Sequence, residues 1–498
     1  MSDLNLVLVA VSGLLLTIAI EALLKPRPRL LRPLTHWLLH AGVWCLLLAC
    51  LVALTGRVGF SSISLLAGWL LIVLVSNAKY HSLREPFVCA DFEYFSDAIR
   101  FPRLYVPFFG IGRTVCMAAG FAVYVVFGLC FETVAPDAWA SSAKLLLVGA
   151  MLFALGQRPA FKPSFDAALD LRDGGMVASL WSYFLAACAK VDVNKLRPPF
   201  LHVGTPIGDS STLPDMISVQ SESFFDVRRL YAGVKPHVLH NFDLLRSEAL
   251  AQGPLHVAAW GANTVRTEFA YLTGLGVEKL GVHRFNPYRV LARQGLPSLA
   301  THLKRQGYRT VCIHPFDGRF YGRNQVMPAL GFDEFIDGRA FDDSQKAGPF
   351  TGDPAVAEKI LELLDAPGRT QPLFIHAITM ENHGPLHLEQ VDAAQLPSWF
   401  DGALDKPLSD LGPYVRHIAN ADQMLGILRE NLAASERPAN LCFFGDHVPI
   451  LPQVYQTLGS PDGSTDYFIW SNRIVGQQQP EPMAVENLAM AFVEHAHS

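Results

Sequence analysis

Gly261-Ala262-Asn263-Thr264-Val265-Arg266-Thr267-Glu268-Phe269-Ala270-Tyr271-Leu272-Thr273-Gly274 reads as a glycine-opened turn running into an amphipathic helix. Asn263 or Thr264 occupies the N-cap position, Val265, Phe269 and Leu272 share the buried face, and Gly274 marks the stop. Thr264 therefore falls where backbone N–H groups point outward and the helix dipole favours negative charge. Taken alone, that threonine could simply cap the helix. A hydroxyl in that place is equally suited to attack a phosphorus centre, and the surrounding sequence decides between the two.

Around this stretch, short apolar runs alternate with helical patterns, which predicts a mainly parallel sheet covered by helices. Strands are expected at Met216–Gln220, Leu255–Ala259, Thr310–Ile313, Leu373–Ile378 and Asn440–Phe444, with helices at 264–273, 297–306, 354–365 and 415–433. In open α/β sheets, ligands bind beyond the carboxyl ends of the strands. Those ends carry Ser221-Glu222-Ser223, then Gly261 to Thr264, then His314-Pro315-Phe316-Asp317. The last two carry Thr379-Met380-Glu381-Asn382-His383 and Gly445-Asp446-His447. Each segment alone has a dull explanation as a turn or a solvated loop. Five hydroxyl-, carboxylate- or imidazole-bearing segments at one edge point to a site.

The chain has 498 residues, more than one ordinary domain, and its apolar half is unevenly spread. Apolar stretches near 4–24, 36–55, 59–78, 112–132 and 141–157 are each about long enough to cross a hydrocarbon core. The first has no small-residue cleavage site and is followed by further spans, so it reads as an anchor. Glu21 lies within the first span, near its end, where snorkelling is the default account. The run Met176 to Ala189 is short for a span and is expected along the interface. A Pro-, Gly- and Ser-rich stretch from Leu196 to Asp215 reads as a linker. The expected organisation is a transmembrane domain of about five helices over 1–160, an interfacial helix and linker over 161–214, and a catalytic α/β domain over 215–498.

A net charge of −5 gives no reason to expect nucleic acid as a partner. Eight cysteines without CxxC spacing imply neither a disulfide framework nor a zinc cluster, and Cys312 and Cys442 fall inside expected strands. Lys25, Arg27, Arg29 and Arg32 follow the first span, and Lys79, Arg84, Arg100 and Arg103 the third. The positive-inside rule puts both loops in the cytoplasm, and five spans then leave the C-terminal domain there too. Asp91, Glu93 and Asp97 in the third loop weigh little in that rule.

Glu222, Asp446 and His447 form a mixed oxygen and nitrogen set suited to a divalent ion such as Mn²⁺ or Mg²⁺, with Zn²⁺ an alternative. With Thr264 as a fourth ligand, such an ion lowers the hydroxyl's pKa and holds it as an alkoxide. His314, Arg323 and His383 are candidates for binding phosphate oxygens or protonating a leaving alkoxide, Arg323 through its planar fork of donors.

These segments, together with Ser218-Val219-Gln220-Ser221-Glu222-Ser223-Phe224 and the spaced set His314, Tyr321 and Arg323, resemble the lipoteichoic acid synthase family. That group includes phosphoglycerol transferases acting on periplasmic glucans and belongs to the alkaline phosphatase/sulfatase superfamily. Lys79-Tyr80-His81-Ser82-Leu83-Arg84-Glu85-Pro86 is similar to a loop that many bacterial members carry after the third span. The resemblance implies a five-span membrane region ahead of an alkaline-phosphatase-like catalytic domain. It implies Thr264 as nucleophile, Glu222, Asp446 and His447 with Thr264 as ligands of a divalent metal, Mn²⁺ first, and His314, Tyr321, Arg323 and His383 around glycerol phosphate. It further implies phosphatidylglycerol as donor, a cell-envelope glycan or glycerophosphate polymer as acceptor, and a multi-pass protein of the cytoplasmic membrane whose catalytic domain faces outward, against the charge rule. Two positions depart from the family pattern. Val448-Pro449 follows His447 where a Gly is common, and Tyr321 stands where the Gram-positive synthases have Trp.

Other readings are a phosphoethanolamine transferase, a phosphodiesterase, or a non-catalytic membrane-anchored module that binds glycerophosphate. A sulfatase proper needs a C/S-x-P-x-R setting, which the run at Thr264 lacks. The phosphoethanolamine enzymes usually carry several disulfides, and only Cys312 and Cys442 are on offer in the soluble part.

Overall fold

A computed structural model describes residues 3–93, 95, 100, 111–158, 161–201, 213–476 and 479–496. Asp97, Arg103 and positions 202–212 of the expected linker lie outside the described residues. The chain forms two compact units, Met1–Lys190 and Val191–Ser498.

All five apolar stretches of the first unit are helical, at Asp3–Glu21, Leu34–Thr55, Val58–Leu83, Ile111–Phe131 and Ala138–Gly156. Among the described residues, four are long and apolar enough to cross a membrane, and the Ile111–Phe131 helix contributes a shorter apolar stretch, Val115–Phe131. Small residues let helices Leu34–Thr55 and Ala138–Gly156 approach closely. A Cβ on Gly156 would lie 2.4 Å from Leu39 N, and one on Gly42 2.5 Å from Phe153 N. In lipid, where apolar burial gives little drive to association, such backbone approach is a main source of packing energy.

The run at 176–189 lies within a helix, Ala167–Cys188, broken at Gly175 by φ 78° and ψ 171°. A side chain at Gly175 would overlap the Arg32 guanidinium. The break frees the Met176 N–H, which donates to Glu21 Oε1 at 2.7 Å. Arg32 Nη2 donates to Glu21 Oε2 at 2.7 Å, and both side chains are no more than 3% exposed. Glu21 is thus buried and paired, not snorkelling, because a cation and a fresh helix start meet it inside the unit.

The second unit is built on an eight-stranded sheet in the order β10-β2-β9-β8-β1-β7-β3-β4. The strands are β1 Asp215–Ser221, β2 Ala251–His256, β3 Arg309–Ile313, β4 Glu334–Ile336, β7 Leu373–Ile378, β8 Ala439–Gly445, β9 Thr465–Ser471 and β10 Met483–Ala484. A separate hairpin pairs β5 Lys346–Ala347 with β6 Phe350–Thr351. β8, β1, β7, β3 and β4 run parallel to one another, while β9 is antiparallel to both β8 and β2. Every residue of β1, β7 and β8 is buried, as strands covered on both faces must be.

Alternation along β1 sends Met216 into one core and Ile217 and Val219 into the other. The first core is closed by helices Thr264–Thr273, Leu299–Arg305 and Val485–Ala496, the second by His240–Ser247, Asp353–Leu364 and Leu411–Ala434. The result is a three-layer α/β/α domain. Cys312 and Cys442 are buried free thiols within it. The expected second strand lies a few residues earlier than its apolar run, because Val257 to Asn263 turn toward the helix instead of extending the ladder.

Candidate active site

Adjacent parallel strands bring their loops together. Ser221 at the end of β1 is in register with Gly445 at the end of β8, so Glu222 and Asp446-His447 emerge side by side. The approach demands glycine at 445, where a Cβ would lie 1.9 Å from the Phe224 carbonyl oxygen. Glu222, Asp446 and His447 are all buried and present ligand atoms within 4.8 Å of one another. His447 Nε2 lies 3.5 Å from both Glu222 Oε1 and Asp446 Oδ2.

Ser223, at φ 52°, stitches this group. Its N–H donates to Asp446 Oδ1 at 2.8 Å and its hydroxyl to Glu222 Oε1 at 2.9 Å. His447 Nδ1–H donates to the Val448 carbonyl at 3.2 Å, which leaves the Nε2 lone pair facing the two carboxylates. The Val448 position that departs from the family pattern therefore serves through its backbone. Asp446 Oδ2 and His447 Nε2 are buried without a hydrogen-bond partner. Burial first, and the Glu222 carboxylate second, push the Asp446 carboxyl well above the usual carboxylate range. Three buried lone-pair donors turned toward one another are the donor set of a divalent cation site.

Thr264 opens the helix Thr264–Thr273, and its hydroxyl donates to Glu222 Oε2 at 3.4 Å. Asn263 precedes it in the left-handed region, φ 69°, without capping through its side chain. Gly274 ends the helix in the same region, as its composition foretells. Thr267 Oγ1 donates to the Asp446 carbonyl at 2.8 Å, fastening the helix to the β8 loop. Thr379, after β7, accepts the Glu222 N–H at 3.1 Å.

One turn further along the same helix stands Glu268, fully buried. It receives Arg323 Nη2 at 2.8 Å and Nε at 3.2 Å, and the Tyr288 hydroxyl as well. Arg323 Nη1 donates to His314 Nε2 at 3.2 Å, and His314 Nδ1 donates to the Ile378 carbonyl at 3.2 Å. Burial, then Arg323, hold His314 well below its usual pKa, so the ring is neutral and both its nitrogens are engaged. His314 consequently orients Arg323. Three of the five guanidinium N–H groups are used, leaving two for a ligand.

Tyr321, at φ 55°, sets its ring 5.4 Å from Arg323 Cζ. His383 is half-buried, with Nδ1 2.8 Å from the Gly384 carbonyl and its ring 5.5 Å from that of Phe350. Its loop is anchored by Glu381, which accepts His417 Nδ1 at 2.9 Å and the Asp353 N–H at 2.7 Å. Ser223, Thr267, Glu268 and Phe350 were not singled out by sequence reasoning. For Glu268 a signal existed, since it falls four residues after Thr264 and thus on the same helix face.

A three-layer α/β domain with an acid–imidazole cluster beside a helix-opening hydroxyl has the architecture of the alkaline phosphatase/sulfatase superfamily. Residues 214–498 match the family model described as Sulfatase, and the chain belongs to that family. It is 27% identical over 454 residues to the capsular polysaccharide biosynthesis protein RkpI of Rhizobium meliloti, covering 86% of this chain and 80% of that one. A putative cyclic beta-1,2-glucan modification protein of the same organism is 30% identical over 340 residues, 63% of this chain and 50% of the relative. Among solved structures, the phosphoglycerol transferase GacH of Streptococcus pyogenes, in complex with sn-glycerol-1-phosphate, aligns with a TM-score of 0.47 and 23% identity. That alignment covers 64% of this chain and 80% of GacH.

Proposed function

We propose that the protein is a membrane-anchored phosphoglycerol transferase moving glycerol phosphate from phosphatidylglycerol to a cell-envelope acceptor. The observation that carries this reading is the Thr264 hydroxyl, set at a helix start 3.4 Å from a cluster of buried metal-type ligands. In the first displacement, Thr264 Oγ1 loses its proton and bonds to phosphorus. The bond from phosphorus to the diacylglycerol oxygen breaks, and that oxygen takes up a proton. In the second, an acceptor hydroxyl oxygen bonds to phosphorus as its own proton departs. The Thr264–phosphorus bond then breaks and the threonine hydroxyl is restored. The two free N–H groups of Arg323 and the His383 ring hold the phosphoryl oxygens and glycerol, with Tyr321 lining the pocket. A divalent ion held by Glu222, Asp446, His447 and Thr264, Mn²⁺ before Mg²⁺ or Zn²⁺, would supply charge that lowers the threonine's pKa and offsets the phosphoryl oxygens. RkpI and the glucan modification protein are named for envelope polysaccharides, which supports a glycan acceptor.

Incubation of the full-length protein with phosphatidylglycerol or phosphatidylethanolamine tests the donor. Diacylglycerol is expected from the first alone, and release from the second would replace this reading with a phosphoethanolamine transferase. We further propose that the catalytic domain faces outside the cytoplasm, where such acceptors are found. A C-terminal reporter active only outside the cytoplasm should then be active, and a silent but expressed fusion would reverse the orientation.

The cation site makes its own prediction. Asp446→Asn removes one of two facing buried carboxylates, so the metal-free variant should melt higher than metal-free wild type. Excess Mn²⁺ should raise the melting temperature of wild type and leave the variant unmoved, because a ligand that binds only the folded state stabilises it by mass action. Equal Mn²⁺ shifts in both would remove Asp446 from the ligand set.

A further inference from the structure

Beside His314 and His383 stand two aromatic rings that the donor chemistry does not use. Phe316, two residues after His314, and Phe350, on the β5–β6 hairpin, are both half-buried. Neither belongs to the two hydrophobic cores of the domain. Their centroids lie 6.0 Å apart at an interplanar angle of 67°, and Phe350 reaches the His383 ring at 5.5 Å. Phe316 is 6.3 Å from the His314 ring. A continuous run of rings therefore joins Phe316 and Phe350 to His314, which orients Arg323, and to His383.

The run is held rigidly. Phe350 pairs with Ala347 across the hairpin. Two residues beyond the hairpin, the Asp353 N–H is gripped by Glu381, on the same loop as His383. A surface fixed before its ligand arrives loses less freedom on binding.

The two segments that carry these rings hold no surplus of positive charge. On segments 316–319 and 337–351, Arg319 pairs with Asp317 at 2.6 Å, Arg339 with Asp337 at 2.9 Å, and Lys346 with Asp343 at 2.5 Å. Asp342 adds a further acid on the second segment. A repeating glycerophosphate chain would call for unpaired cations along its path. A hexopyranose instead offers faces of C–H groups, weakly positive and apolar, that match the negative faces of aromatic rings.

We infer that Phe316 and Phe350 form the acceptor subsite, and that it takes a neutral hexopyranose glycan in preference to a glycerophosphate polymer. This rests on the transferase reading for its role, but the binding it claims is measurable without turnover. The test uses the full-length Thr264→Ala protein, which cannot react, and calorimetric titration with a neutral β-glucan oligosaccharide and with an oligo-glycerophosphate. The glucan should bind more tightly than the oligo-glycerophosphate. Adding Phe350→Ala or Phe316→Ala should weaken glucan binding at least tenfold, while Phe350→Trp, which restores an aromatic face, should retain it. Tighter binding of the oligo-glycerophosphate, or glucan binding unmoved by both alanine variants, would overturn the assignment. Failure of the wild-type enzyme to form a threonine adduct would sink the transferase reading instead, and leaves these titrations fully decisive for the subsite.

Discussion

Thr264→Ala should lower glycerophosphoryl transfer by about 10⁴- to 10⁶-fold, the scale seen when the nucleophile of a covalent mechanism is removed. The fold should tolerate the change. Thr264 makes a long hydrogen bond to Glu222 and a further one to the Asp446 carboxyl, so its loss costs about 1–2 kcal/mol. Thr264→Ser should recover part of the activity by restoring a hydroxyl at the helix start. Steady-state diacylglycerol release, read beside thermal melting of the same preparations, separates the two effects. An alanine variant that keeps a tenth of wild-type turnover would mean that water or another group does the attacking.

Glu268 gives the second large effect, and it acts on stability and activity together. Arg323 is 1% exposed and Glu268 is fully buried, with two hydrogen bonds joining them. Glu268→Leu leaves a guanidinium buried without its counter-ion, at a cost of about 3–5 kcal/mol. Replacing both partners, Glu268→Leu with Arg323→Met, should return most of that stability, since buried ion pairs exchange for apolar volume at little net cost. Activity should not return. The double variant lacks the donors proposed to hold the phosphoryl oxygens, an expected loss of about 10²–10³-fold or more in kcat. Denaturant unfolding and transfer assays on the four proteins of the cycle read both quantities. If the double variant transfers as well as wild type, Arg323 is only a structural ion-pair partner.

Much of this arrangement is written locally in the chain. The helix after Gly261 is legible because a glycine turn, a periodic apolar face and a terminal glycine agree with one another. The central strands are legible because burial on both faces leaves largely apolar runs that lead into Glu222, His314, the Thr379 to His383 loop and Asp446. β4 and β9 were missed for a physical reason. β4 is three residues long, and β9, Thr465–Ser471, joins β8 only through antiparallel pairing whose partner no local pattern names.

The pairings that tune the site are equally non-local. Glu268 meets Arg323 across 55 positions, and Ser223 meets Asp446 across 223. Helical spacing places Glu268 beneath Thr264, yet nothing in sequence assigns its partner. Glu21 shows the same limit in the membrane unit. Its neutralisation depends on Arg32 and on a helix broken 155 positions away at Gly175 and Met176.

The most direct measurement is mass spectrometry of the peptide containing Thr264 after the full-length protein meets phosphatidylglycerol without acceptor. A glycerophosphoryl group covalently attached to Thr264 is the expected result. An unmodified Thr264 in a preparation that still releases diacylglycerol would contradict the account, because with no acceptor present the phosphorus would then have passed directly to water.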